Sequence, residues 1–144
     1  MKNQVFAMFC LFLAVACTPS AEQKRKKEEA QLEKMAGDVM VIHDRVMPKT
    51  GTIFKLRKKL MELEQATADS IAAKEMRDAA FALEEADDAM MDWMHKYTAP
   101  DESLPFEERK AHYKNEEKKI LDVEEMTNSS IGKANALIEK YGKN

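Results

Sequence analysis

The fold is decided by residues 32–63, which read LEKMAGDVMVIHDRVMPKTGTIFKLRKKLMEL. Apolar side chains recur there at alternating spacings of three and four residues, the heptad pattern of a helix that buries one face. The pattern keeps its phase on both sides of Pro48 and Gly51. It therefore predicts one helix from about Ala21 to Leu63, kinked near Pro48, where proline removes a backbone hydrogen bond. The predicted seam consists of Leu32, Met35, Val39, Ile42, Val46, Ile53, Leu56, Leu60 and Leu63.

A second stripe of mostly apolar residues runs one position after this seam. We expect it to widen the buried face of the helix, so that the helix contacts two neighbours, as a bundle requires. The stripe consists of Met40, His43, Met47, Thr50, Phe54 and Met61.

Two further helices follow along the chain. Heptad spacing predicts the second from about Asp69 to Tyr97 and the third up to about Tyr141, before Gly142, with a loop over residues 98–105 between them. The second seam consists of Ala72, Met76, Ala79, Leu83, Ala86, Met90, Trp93 and Tyr97. The third, weaker seam consists of Phe106, Tyr113, Ile120, Val123, Thr127, Ile131, Ala134, Ile138 and Tyr141.

Capping residues mark the starts of these two helices. Asp69 or Ser70 is the expected N-cap of the second helix. Ser103 is the expected N-cap of the third helix, with Pro105 in its first turn. Three long helices with short connections predict an all-α fold, an up-down-up antiparallel bundle with coiled-coil-like packing. We assign it to one domain, residues 23–142.

The composition supports long amphipathic helices. Charged residues make up 34% of the chain, while glycine and proline occur only four times each. A formal net charge of −3 argues against nucleic acid as the partner. The chain has no phosphate-binding loop and no serine in a nucleophile elbow. Its pairs of acidic residues are typical of solvated helix faces. We therefore expect no catalysis and no catalytic residues.

The N-terminal segment has the pattern of a bacterial lipoprotein signal. Lys2 precedes an apolar run over residues 5–13 that is too short to span a bilayer, and Leu13-Ala14-Val15-Ala16-Cys17 ends in a cysteine behind small residues. We predict a signal peptide over residues 1–16, acylation of Cys17, and a lipidated tether over residues 17–22. An ordinary secretory signal that is cut elsewhere is the alternative.

This signal predicts a location in the bacterial cell envelope. The protein would be lipid-anchored to a membrane, the outer membrane in particular, on its periplasmic or surface side. Cys10 would leave with the signal peptide and Cys17 would be acylated. No thiol would then remain for a disulfide or a thiolate metal site.

Methionine and histidine cluster in residues 40–47 and 90–95. Thioether and imidazole ligands together suit copper, so a copper-like metal site is one hypothesis. Counting residues outward from the turns places His43 level with Met90, Met40 level with Trp93, and His112 level with Met90. The candidate ligands are Met40, His43, Met47, Met90, Met94 and His95.

We expect structural roles for the same residues and no bound cofactor, with copper binding as the alternative. Methionine fills irregular bundle cores, and His43 is suited to a hydrogen-bonded structural position. His95 lies near a helix C-terminus, where it complements the helix dipole, and Trp93 is suited to anchor the core.

Three segments resemble small lipoproteins of Bacteroidetes-type bacteria that are often labelled "viral A-type inclusion protein". They are His43-Asp44-Arg45-Val46-Met47-Pro48-Lys49, Asp88-Ala89-Met90-Met91-Asp92-Trp93-Met94-His95 and Ser103-Leu104-Pro105. The resemblance covers most of the chain after Cys17. It implies a lipid-anchored, helical, coiled-coil-like protein, and it implies no particular activity.

Two functions follow as hypotheses. The first is a lipid-anchored helical bundle that serves as a structural or protein-interaction module, with the membrane and either a protein partner or a second copy of the chain as its partners. The second is metal binding, with copper as the ion, through the methionine and histidine residues of the first two helices.

Overall fold

The computed structural model describes residues 20–142, which are helical apart from short connections and contain no strand in that range. The elements are α1 (Ala21–Val46), a 3-10 turn (Met47–Lys49), α2 (Thr50–Ala66), α3 (Ser70–Lys96) and α4 (Phe106–Tyr141). The prediction of an all-α fold with three long helical segments is confirmed. The predicted signal peptide and Cys17 lie outside the described residues.

A reciprocal cap fixes the start of α1. The Gln23 backbone N–H donates to Ser20 Oγ over 3.2 Å, and the Ser20 backbone N–H donates to Gln23 Oε1 over 3.0 Å. This capping box satisfies two backbone donors that the first turn of a helix leaves free. Helical structure therefore begins immediately after Ser20.

Pro48 divides the first predicted helix into α1 and α2. The backbone stays helical through this segment, but Met47–Lys49 tightens into a 3-10 turn because proline has no N–H to donate. The Thr50 hydroxyl donates to the Met47 carbonyl oxygen over 3.0 Å. Helical conformation thus continues from Ala21 to Ala66, three residues beyond the predicted end.

The two predicted caps have different outcomes. Asp69 caps α3, since its Oδ1 accepts the backbone N–H groups of Ile71 and Ala72. The prediction of Ser103 as the cap of α4 is wrong, because Pro105 holds that position and makes no side-chain cap. The Ser103 N–H instead donates to Asp101 over 2.8 Å.

Most buried apolar side chains lie on the three predicted seams, and most of them form two clusters. One cluster lies between α2, α3 and α4 and consists of Ile53, Leu60, Ala72, Met76, Ala79, Ala80, Leu83, Ala86 and Ala134. The other lies between α1, α3 and α4 and consists of Val39, Ile42, Val46, Met90, Trp93, Ile120 and Val123. Packing of apolar seams is therefore the main stabilisation of the bundle.

The predicted widening of the first seam is wrong at three positions. Met40 is 37% exposed, Phe54 is 69% exposed and Met61 is 48% exposed. One residue along a helix is a rotation of about 100°, which carries these side chains from the seam towards solvent. The seam itself fills the space between the helices, so these three side chains of the second stripe lie outside the two core clusters.

Ion pairs join the helices at the edges of the core. Arg57 Nη2 lies 2.8 Å from Glu84 Oε2, and Arg77 Nη2 lies 2.6 Å from Glu64 Oε1, so both pairs join α2 to α3. Arg109 on α4 pairs with Glu29 on α1. These contacts are consistent with a bundle. Within residues 20–142, no helix combines the length and the apolar character needed to cross a bilayer.

Candidate functional site

Three of the candidate methionines pack in the core cluster of α1, α3 and α4. Met90 is fully buried, and Met47 and Met94 are partly buried against the same cluster. Apolar packing accounts for each of them, because unbranched methionine fills irregular space between helices. The structure thus brings these three thioether side chains to one core cluster.

His43 lies at the edge of this cluster. Its ring centroid is 5.9 Å from that of Trp93, and its side chain is 19% exposed. The Nδ1 atom lies 2.8 Å from Asp44 Oδ1, a hydrogen bond that leaves Nε2 as the nitrogen available to a ligand. His43 is therefore the histidine that the fold places beside the methionine cluster.

The other candidate ligands lie apart from this arrangement. Met40 and His95 are exposed. His112 was predicted to be level with Met90, but its Nε2 lies 2.8 Å from the Thr98 carbonyl oxygen, in the loop between α3 and α4. Its ring also meets the Tyr113 ring edge-on. The three histidines of the chain therefore do not form one site.

Trp93 is the only tryptophan of the chain and is 6% exposed. Its ring packs against Tyr97 at a centroid distance of 4.9 Å. Its Nε1 is buried and has no hydrogen-bond partner among the described residues. An unpaired buried donor costs free energy, and indole N–H groups usually find a partner when they are buried.

The surroundings of Trp93 also affect Tyr97. Burial raises the pKa of the Tyr97 hydroxyl above its ordinary value, and the nearby Tyr113 and Glu116 raise it further. Tyr97 therefore stays protonated at neutral pH. The surroundings of Trp93 therefore contain thioether sulfur atoms and the neutral Tyr97 hydroxyl, which adds no negative charge.

Histidine, cysteine and carboxylate side chains alone do not form a metal site in residues 20–142, because no three of them are grouped there. An ion bound beside His43 would have thioether sulfur atoms as its neighbouring soft ligands. His43 with Met47, Met90 and Met94 is the set that the fold brings closest to that arrangement.

A second feature is an exposed apolar face on α2 and α3. Phe54 and Met61 line a groove of about 400 Å³ along α2, together with Arg57, Lys58, Glu62 and Gln65. On α3, Phe81 is 59% exposed. Phe81 lies outside the predicted seams and is not among the candidate residues predicted from the sequence. The signal available in the sequence was a phenylalanine that falls outside the heptad seam.

In comparisons with known proteins, the chain matches no protein-family model, no curated protein and no solved structure.

Proposed function

We propose that the protein is a lipid-anchored lipoprotein of the bacterial cell envelope whose helical bundle acts as a structural or protein-interaction module. The observation that carries the interaction role is the exposed apolar face of α2, where Phe54 is 69% exposed beside a filled core. Covering apolar side chains of this size with a partner removes them from water, which lowers the free energy of the complex. The lipoprotein signal at Cys17 and the resemblance to small envelope lipoproteins support the anchor.

The proposed architecture is an up-down-up bundle with a kink at Pro48. Two observations support it. Glu29 pairs with Arg109 and Arg45 pairs with Glu124, so the residue numbers of α1 and α4 rise together. Along α2 and α3 they run in opposite directions, from the Arg57–Glu84 pair to the Glu64–Arg77 pair.

Distances between spin labels test this arrangement. We expect labels at the exposed positions Gln31 and Ala111 to lie much closer together than labels at Gln31 and Asn135. Equal distances for the two pairs would contradict the proposed order of the helices.

The lipid anchor is tested by cell fractionation. We expect the protein to sediment with membranes, and Cys17→Ala to release it or to leave its precursor uncleaved. Cys10→Ala is the matched control, because this cysteine would be removed with the signal peptide. An unchanged distribution of the Cys17→Ala variant would contradict the anchor.

The interaction role is tested with a photo-crosslinking amino acid in intact cells. At position Phe54 we expect a discrete covalent adduct with a protein. At position Leu121, an exposed apolar residue of α4, we expect none. Absence of any adduct at Phe54 would contradict the interaction role.

Copper binding is the second candidate function. The observation that favours it is the placement of His43 beside Trp93 and the Met47, Met90 and Met94 cluster. Soft thioether sulfur favours Cu(I), and imidazole binds both oxidation states of copper. On this proposal His43 Nε2 and thioether sulfur atoms are the ligands.

Titration with Cu(I), Cu(II), Zn(II) and Ni(II) tests this candidate, with Trp93 fluorescence as the readout. A bound copper ion near Trp93 is expected to quench its emission in a one-to-one titration. A variant with His43→Ala and Met90→Leu should lose the quenching, whereas the His112→Ala control should keep it. Unchanged emission at copper excess would exclude the site.

A further inference from the structure

The exposed faces of α2 and α3 adjoin where the two helices pack together. Two ion pairs, Arg57–Glu84 and Glu64–Arg77, lie along the combined surface and join the two helices. Met61 lies one turn after Arg57 on α2, and Phe81 lies about one turn before Glu84 on α3. The two ion pairs set the antiparallel level of α2 against α3, so Met61 and Phe81 lie at about the same level, between the two pairs. Residues one turn apart share a helix face, so both side chains lie on the side of the helices that carries the ion pairs.

The two halves of this surface carry opposite unpaired charges. On α2, Lys58 is exposed and lines the groove with Phe54 and Met61, and it has no ion-pair partner in residues 20–142. On α3, Glu85 and Asp88 are exposed, lie four and seven residues after Phe81, and are likewise unpaired within the described part of the chain. The α2 half is therefore basic and apolar, and the α3 half is acidic and apolar.

We propose that a second copy of this chain covers the surface, with α2 of each copy packed against α3 of the other. An isologous dimer uses the same surface twice, so the basic half of one copy meets the acidic half of the other. The charges also favour one direction of the two-fold axis. A two-fold axis perpendicular to the helices would place α2 against α2 and oppose like charges, whereas an axis parallel to the helices places α2 against α3.

The parallel axis predicts specific contacts, because it keeps every residue at its own level. Met61 of one copy then meets Phe81 of the other, and Lys58 of one copy meets Glu85 of the other. Each contact occurs twice in the dimer. The 17 residues of α2 make a face about 25 Å long. Two helices side by side then bury roughly 1,000 Å² in total, near the lower limit of specific interfaces.

The same axis agrees with membrane attachment. A two-fold axis parallel to the helices leaves the two N-termini at the same end of the dimer. The lipid anchors on Cys17 of both copies can therefore enter one membrane. This dimer rests on the proposed function in that it names the partner of the interaction module. Two anchors on one particle also bind a membrane far more persistently than one acyl chain.

Charge reversal tests the dimer in the mature, acylated protein in detergent, by sedimentation equilibrium. We expect a monomer–dimer equilibrium for the natural sequence. Lys58→Glu and Glu85→Lys should each raise the dimer dissociation constant by about tenfold, since each replaces two attractive contacts by two repulsive ones. The double variant, Lys58→Glu with Glu85→Lys, should restore the natural constant. Lys118→Glu, an exposed position on α4, is the control and should change nothing.

Several results would overturn the dimer. A natural protein that stays monomeric at all concentrations would do so, as would a dimer that tolerates both single reversals or is not restored in the double variant. Circular dichroism confirms that each variant is folded. The failures of the two proposals are distinguishable. A monomer that forms adducts with a different protein at position Phe54 refutes the dimer and leaves the interaction role intact, whereas absence of any adduct there refutes both.

Discussion

Arg45 and Glu124 form a two-pronged ion pair between the last turn of α1 and the middle of α4. Arg45 Nε donates to Glu124 Oε1 over 3.0 Å, and Nη2 donates to Oε2 over 2.8 Å. Lys49 Nζ donates to Asn128 Oδ1 one turn further along both helices. The polar edge between α1 and α4 therefore fixes their relative level, a property that apolar seams alone leave free.

This ion pair gives the stability a defined pH dependence. The hydrogen bonds from Arg45 lower the pKa of the Glu124 carboxyl below its ordinary value of 4.5. Glu124 binds a proton less readily in the folded state than in the unfolded state. The contribution of the ion pair to the free energy of unfolding is therefore fully present above the ordinary pKa. It is lost as the pH falls through the lower pKa of the folded protein. We expect Glu124→Gln to reduce the loss of stability on acidification, as measured by urea unfolding at pH 7 and at successively lower pH.

A control carboxyl distinguishes this effect from general acid denaturation. Asp122 on α4 is exposed, with no ion-pair partner in residues 20–142. Asp122→Asn should leave the acid sensitivity close to that of the natural protein. Equal acid sensitivity of Glu124→Gln and the natural protein would contradict a role for the Arg45 pair.

Two apolar side chains of α2 differ in their burial. Leu60 is fully buried between α2, α3 and α4, and Phe54 is exposed on the same helix. We expect Leu60→Ala to lower the free energy of unfolding by about 2–5 kcal/mol, because it leaves a cavity in the core. Phe54→Ala should change it by less than about 0.5 kcal/mol. Chemical denaturation of both variants checks the assignment, and a large loss for Phe54→Ala would place that side chain in the core.

Alanine substitutions at the two predicted N-caps should lower the free energy of unfolding by different amounts. Asp69 Oδ1 accepts two backbone N–H groups, from Ile71 over 2.8 Å and from Ala72 over 3.2 Å. Asp69→Ala should therefore lower the free energy of unfolding by about 0.5–2 kcal/mol. Ser103→Ala should cost less than about 0.5 kcal/mol, since Ser103 lies in the loop and caps no helix. Thermal unfolding of the two variants checks both assignments. A loss for Ser103→Ala as large as that for Asp69→Ala would indicate that Ser103 caps α4.

Thr127 is a buried hydroxyl without a partner. Its side chain is fully buried on α4, and its Oγ1 has no hydrogen-bond partner among the described residues. Because an unpaired buried hydroxyl is unfavourable, we expect Thr127→Val to raise the free energy of unfolding by about 1 kcal/mol. The nearby Ser130 is the contrasting case, since its hydroxyl donates to the Thr127 carbonyl oxygen. Ser130→Ala should lower stability by about 0.5–1.5 kcal/mol, and a loss of stability in Thr127→Val would contradict this account.

The heptad phase predicted most of the buried apolar side chains, but not the buried Ala80, Glu116 and Ser130. Leu32, Val39, Leu60, Leu83 and Ile120 are all on predicted seams and are all buried. The phase does not determine how wide a buried face is. Phe54 was predicted to join that face and lies in solvent, because the central seams fill the space between the helices.

The relative level of the helices was the part that the sequence did not determine. A seam repeats every seven residues, so sliding one helix by two turns preserves the pattern. The levels expected from turn positions therefore failed for His112, which contacts Thr98 instead of lying near Met90. For the same reason the proximity of Phe81 to Met61 emerged only from the ion pairs of the folded chain.

The lipid anchor is tested most directly by the intact mass of the mature protein purified from membranes, together with sequencing of its N-terminal peptide by mass spectrometry. The account predicts that the chain begins at Cys17 and carries acyl chains on that residue. A mature chain that begins at any other residue, or an unmodified Cys17, would contradict the central claim that this bundle is held at a membrane by lipid.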